Sequence, residues 1–220
     1  MTQTSQAILS PRKEAKQRRS KEKIELILTT TLKMLSESPA DQVTTNAIAT
    51  MSGISIGSLY QFFPNKEAIF YELYKRWLAQ TLASLDRVYQ EVDPAEGKAA
   101  CVEAVLKALG GDTSLNSISN WQLRNAMASS AQLAELEATH QQEVVKRILA
   151  LQDKFGVSPP ESVRREAALL LNQVTIACLE VLSATEASPN RDDILNWCRK
   201  VTLLVFDFDR LSGVDRRAAD

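Results

Sequence analysis

Five residues near the front of the chain, Gly53-Ile54-Ser55-Ile56-Gly57, spell G-x-S-x-G. That spacing can place a nucleophilic serine on a strand-to-helix turn. The chemistry also needs a strand before the serine, a histidine base and an acid. Ile48 to Met51 read as helix instead, and His140 is the only histidine in the chain. Catalytic residues, and hence an enzyme, are not expected. One His and three scattered cysteines, Cys101, Cys178 and Cys198, offer no metal-ligand spacing, so neither a metal nor a cofactor is expected. The pentapeptide makes better sense as a turn and a helix start, with Ser55 as cap. Gly57 then lets a backbone come close to a nucleic acid.

A different chemistry runs from Thr44 to Lys66. The hydroxyls of Thr44, Ser55, Ser58 and Tyr60 can donate to phosphates. Gln61 can pair bidentately with adenine, and so can Asn46. Ile56 and Phe62 can meet thymine methyls, although for Phe62 and Tyr60 a place in the core is the competing reading. Lys66 falls at a helix start, where free N–H groups and the helix dipole already favour a phosphate.

The elements that must hold these groups follow from local signals. Thr44 can cap a first helix whose inner face is Ile48, Ala49 and Met51. Gly53 suits the positive φ that ends it. Ser55 can cap a second helix, with Leu59 and Phe63 pointing inward. Helix, tight turn, helix is the plan whose second helix can lie in a DNA major groove.

The run I-A-x-x-x-G-I-S-x-G-S-L-Y-x-x-F-x-N-K-E, Ile48 to Glu67, resembles the signature of the tetracycline-repressor (TetR) family of bacterial transcription regulators. The match is ungapped and covers roughly the first third of the chain. The resemblance implies that Thr44, Thr45, Asn46, Gly57, Ser58, Tyr60, Gln61, Phe62 and Lys66 face DNA. It departs from the family at Ile56, where a polar or basic residue is common, and at Gln61-Phe62, which replaces an aromatic–His or His-His pair. Ser38-Pro39 stands where a Gly is usual. The first two departures touch the reading surface, so no operator sequence carries over.

The wider composition agrees. At 220 residues the chain can form one or two domains with a sizeable core. Seven Gly and seven Pro are few, and the Pro cluster at segment ends, which suits a mostly helical chain. No apolar run reaches the length of a membrane span, and residues 1–20 lack the apolar stretch of a secretory signal, so a cytoplasmic, nucleoid-associated protein with reduced thiols is expected. Residues 1–66 hold nine Lys and Arg against five Asp and Glu, while residues 67–220 hold 17 against 22. A basic front and an acidic rear fit a polyanion meeting only the front.

The expected architecture is all-α. A basic arm over 1–19 is either a solvated terminus or a minor-groove contact. Residues 20–66 make a three-helix helix-turn-helix domain. A long helix from Lys66 to about Val92, with Trp77 on its inner face, links it to a helical effector-binding and dimerisation domain over 67–212, and 213–220 is a tail. Further helices are expected from about Ala95, Ala131, Ser158 and Ser188. By resemblance, Trp77, Trp121, Met127, His140, Asn172, Thr175 and Cys178 line an effector pocket; ordinary packing is the alternative for each. The last two long helices resemble a dimer four-helix bundle, with Leu170, Val174, Leu179, Trp197, Val201 and Phe208 on their apolar faces. The partners implied are operator DNA, a small-molecule effector and a second copy of the chain. The rival from another class is a sequence-tolerant DNA-compacting protein without a ligand.

Overall fold

The computed structural model describes residues 18–110, 122–157, 159–184 and 190–206. Within them every regular element is helical. The basic residues Arg12, Lys13 and Lys16, together with Trp121, Ser158, Phe208 and the 213–220 tail, lie outside the described residues.

The first helix, α1 (Arg18–Glu37), buries Ile24, Ile27, Leu28, Thr31 and Leu35, one stripe at helical spacing. The Thr31 hydroxyl donates to the Ile27 carbonyl at 2.8 Å, so this buried polar group is satisfied within its own helix. α2 (Thr45–Ser52) starts on Thr44, whose side chain accepts from the Ala47 N–H at 3.2 Å, a cap worth about 1 kcal/mol. It ends on Gly53 at φ 66°, and the Ile54 N–H turns back to the Ala49 carbonyl at 3.1 Å. α3 (Ile56–Phe62) starts on Ser55, which accepts from the Ser58 N–H at 3.2 Å. α4 (Lys66–Glu91) starts on Asn65, whose Oδ1 accepts from the Ala68 N–H at 2.8 Å.

Residues 18–79 and 122–137 form one compact unit among those described. Its core joins Ile27, Leu28 and Leu35 of α1 with Ile48, Leu59, Phe63, Ile69 and Phe70, and takes in Leu123, Met127 and Leu133 from the later segment. Fully burying side chains of this size stabilises by about 1.5–3 kcal/mol each. The unit therefore does not stop at residue 66: the first part of α4 buries Ala68, Ile69, Phe70 and Leu73 in the same cluster as α1–α3. The later segment is fastened there by polar contacts too. The Tyr74 hydroxyl donates to Glu137 Oε1 at 2.9 Å, and Arg124 Nε donates to the same oxygen at 2.7 Å. Burial, then the Glu137 charge, raises the Tyr74 pKa, so its hydroxyl stays a donor.

The second unit comprises the rest of α4, a 3₁₀ turn (Pro94–Glu96), α5 (Lys98–Gly110), the remainder of α6 (Ala131–Lys154), α7 (Glu161–Ala184) and α8 (Arg191–Phe206). Its core holds Leu85, Val88, Cys101, Val105, Val144, Ile148, Leu151, Ala168 and Leu171. The helix expected from Ala95 begins three residues later. Asp93 caps the separate 3₁₀ turn, accepting from the Ala95 N–H at 2.9 Å, and Gly97 at φ 85° breaks the chain before Lys98. Arg199 grips both carboxylate oxygens of Glu103 at 2.8 Å, joining α8 to α5. No helix among the described residues is long and apolar enough to cross a membrane.

Candidate nucleic-acid interface

α3 is seven residues long, and its two faces differ sharply. Leu59 is fully buried, as is Phe63 just beyond the helix end. Ile56, Gly57, Tyr60 and Gln61 are exposed, at the i, i+1, i+4, i+5 spacing of a single outward stripe. Thr44 and Asn46 are exposed at the start of α2, Thr45 and Ser58 are half-buried, and Ser55 is exposed. The Thr45 and Tyr60 hydroxyls lie 3.0 Å apart, which brings the start of α2 and the outer face of α3 into one patch.

Gly57 sits in that patch without a structural reason to be glycine. Its φ is not positive, and nothing lies within 4 Å of a Cβ added there. Gly53, by contrast, needs its φ of 66° for the turn.

Two expectations need correction, and Lys66 has contacts that the sequence did not show. Phe62 is only 6% exposed and packs in the core, so it is withdrawn from the thymine-contacting candidates. The cause is the helix end: Phe63 already has extended backbone, φ −126° and ψ 119°, so two consecutive rings both turn inward. Met51, expected on the inner face of α2, is 50% exposed. Lys66 Nζ is turned toward the loop before α2, donating to the carbonyls of Ala40 at 3.2 Å and Val43 at 3.3 Å.

One residue was missed. Lys23 on α1 donates to Ser58 Oγ at 3.3 Å, which places an exposed cation at the edge of the α3 patch. The signal was present in the four-residue spacing of Arg19 and Lys23, two cations on one side of α1.

The G-x-S-x-G pentapeptide is not a nucleophile elbow. The segment before it is α2, and the Ser55 oxygen accepts a backbone N–H as the cap of α3. Among the described residues no group of three His, Cys, Asp or Glu could hold a metal.

The proposed pocket residues fall into two sets. Trp77 is half-buried, its ring 5.4 Å from that of Tyr74, and packs with Met127 on the first unit's core. Asn172 and Thr175 are buried along α7 in the second unit, where Thr175 donates to the Leu171 carbonyl at 2.8 Å. Cys178, on the same helix, is half-buried beside Cys198. Burial, then this contact, pushes the Cys198 thiol up to about 12. His140 is half-buried on α6.

Of the proposed dimer residues, Leu170 is 56% and Trp197 59% exposed; Val201 is exposed and Val174 half-buried. Leu169 and Val181 on α7 are exposed as well. Leu179 belongs to α7, but its side chain lies outside the described set.

Residues 27–73 match the family of bacterial regulatory proteins named tetR. No curated protein matches the chain. Among solved structures, a candidate transcriptional regulator from Pseudomonas aeruginosa PAO1 is similar at a TM-score of 0.64 and 16% identity, over 89% of this chain and 96% of that one. A candidate TetR-family transcriptional regulator from Syntrophomonas wolfei str. Goettingen is similar at 0.62 and 15% identity, over 84% and 95%. SmeT, in a complex with triclosan, is similar at 0.58 and 15% identity, over 87% and 91%. At these identities the likeness is one of fold.

Proposed function

We propose that this chain, whose residues 27–73 match the tetR family of bacterial regulatory proteins, is a dimeric, DNA-binding transcription repressor released by a small ligand. The observation that carries the reading is the outward stripe of α3. Gly57, Tyr60 and Gln61 are exposed on a helix whose other face is fully committed to the core. Gln61 presents an amide for adenine, and the hydroxyls of Thr44, Ser55, Ser58 and Tyr60 rim it with phosphate donors. Lys23 adds a cation there. Each protomer sets α3 into one major groove, and the pair reads a near-palindromic site.

The second copy is held through α7 and α8. Leu170, Trp197 and Val201 expose apolar surface that a lone protomer gains nothing by presenting to water. The releasing ligand is apolar or amphipathic, which the triclosan complex of a protein with the same fold supports. It acts by preferring a dimer arrangement that no longer matches two half-sites. Such a regulator works in the cytoplasm, on the nucleoid.

Selection of binding sites from random DNA, repeated across a salt series, tests the function. Enrichment of one near-palindrome that survives raised salt is the expected result. Binding that enriches no sequence and vanishes steeply with salt would mean a sequence-tolerant DNA-compacting protein instead.

A further inference from the structure

The outward stripe of α3 holds one aliphatic side chain. Ile56 is 37% exposed, while Ile54, two residues earlier, packs against the first unit's core. Its neighbours on the stripe are of another kind. Gly57 carries no side chain, Tyr60 ends in a hydroxyl and Gln61 in an amide. The Thr45 and Ser58 hydroxyls and the Lys23 ammonium stand around the same patch. With Phe62 turned into the core, any aliphatic contact that this stripe makes with a base edge falls to Ile56.

The Ile56 side chain neither donates nor accepts a hydrogen bond. In the major groove guanine, cytosine and adenine present donors and acceptors, and thymine alone adds a methyl group at C5. Against a polar edge, Ile56 strips water without replacing its hydrogen bonds, which is unfavourable. Against the thymine methyl, it buries apolar surface on both partners. Gly57, beside it, brings no side chain to hold the backbone off the base edges.

We infer that Ile56 is a specificity-determining residue, which reads the C5 methyl of one thymine in each half-site. This rests on the DNA-binding function proposed above and names part of what that site recognises. Ile56 and Gln61 are five positions apart, about 7.5 Å along the helix axis. At about 3.4 Å per base pair that is roughly two steps, so the thymine lies within about three base pairs of the adenine read by Gln61.

The test uses the full chain and the operator selected by the parent, with each thymine replaced in turn by deoxyuridine, which lacks only the methyl. One thymine per half-site is expected to weaken the parent about fourfold when replaced, the scale of one buried methyl group. Ile56→Ala binds the operator more weakly and no longer distinguishes thymine from uracil at that position. Gln61→Ala still distinguishes them. The dependence of log affinity on log salt is the same for Ile56→Ala as for the parent, because no charge is lost. Cytosine placed at the same position binds the parent better once it is methylated at C5, and Ile56→Ala gains nothing from that methyl. Thermal melting confirms that Ile56→Ala is folded, as expected of an exposed position; Ile56→Gln serves as a second variant with the same expected loss of methyl preference. A parent indifferent to uracil at every thymine overturns the inference and leaves the DNA-binding function standing. So does an Ile56→Ala that keeps the parental preference for thymine over uracil. A parent that binds DNA but enriches no sequence defeats the repressor reading and this inference together.

Discussion

The hydroxyls of Thr45 and Tyr60 meet at 3.0 Å, linking the first residue of α2 to the outer face of α3. The contact is exposed, so it contributes little to stability but fixes where the phenol stands. Tyr60 is 40% exposed, which leaves its oxygen accessible to a phosphate.

That placement separates two kinds of contact on one helix. Gln61→Ala should cost about 1–3 kcal/mol of operator binding and relax preference at one position per half-site. Tyr60→Phe should weaken operator and random DNA alike, because a phosphate donor carries no sequence information. Binding-site selection on both variants checks the split. An unchanged preference for Gln61→Ala would remove it from base reading.

Gly57→Ala should leave the fold intact or gain up to about 1 kcal/mol, since glycine is a poor helix former and the added methyl meets no neighbour. Operator affinity should nevertheless fall, because in the proposed complex the methyl would stand where the backbone approaches DNA. Thermal melting and operator titration of the same sample give the answer. Full binding by the variant would mean that the backbone stays clear of DNA at this position.

Trp197→Glu places a carboxylate at a site that is 59% exposed in the single chain. The protomer should fold as before, because the charge remains in water. In the dimer the same charge would be buried unpaired, at a cost of several kcal/mol. Sedimentation should show a monomer, with weakened operator binding. A dimer of parental strength would take Trp197 out of the interface.

Trp77→Ala probes release. Trp77 is half-buried against Tyr74 on α4, so truncation should cost roughly 1–3 kcal/mol, less than at a fully buried site. Operator binding should stay near that of the parent while the response to ligand is lost. Linkage makes the effect reciprocal: a compound that weakens DNA binding tenfold binds the DNA complex tenfold more weakly, about 1.4 kcal/mol. Titration with any compound that releases the parent decides it. Release at the parental concentration would route the switch elsewhere.

What could be read from the sequence was what local chemistry fixes. Thr44, Ser55 and Asn65 accept from N–H groups three residues on, and Gly53 supplies a positive φ; each depends on a few neighbouring residues. Helical spacing likewise placed Leu59 and Ile48 inside. Phe62 was undecided because periodicity fails at a helix end, where the extended Phe63 lets adjacent rings turn the same way. The partners of Lys66 are 23 to 26 residues away in sequence, beyond what a helix-start argument considers. The docking of Leu123, Met127 and Leu133 onto the first unit is more distant still. Such long-range pairings are chosen by complementary shape across the whole core, which no window of sequence contains.

The outer positions of α3 have one more consequence. Ile56, Gly57, Tyr60 and Gln61 lie on the solvent side, while folding draws on Leu59, Phe62 and Phe63 behind them. The letters proposed to address a DNA site are thus separable from those that build the scaffold. A library randomised at these four positions would consist largely of folded proteins, and new target sequences could be sought in it without re-engineering the body that carries them.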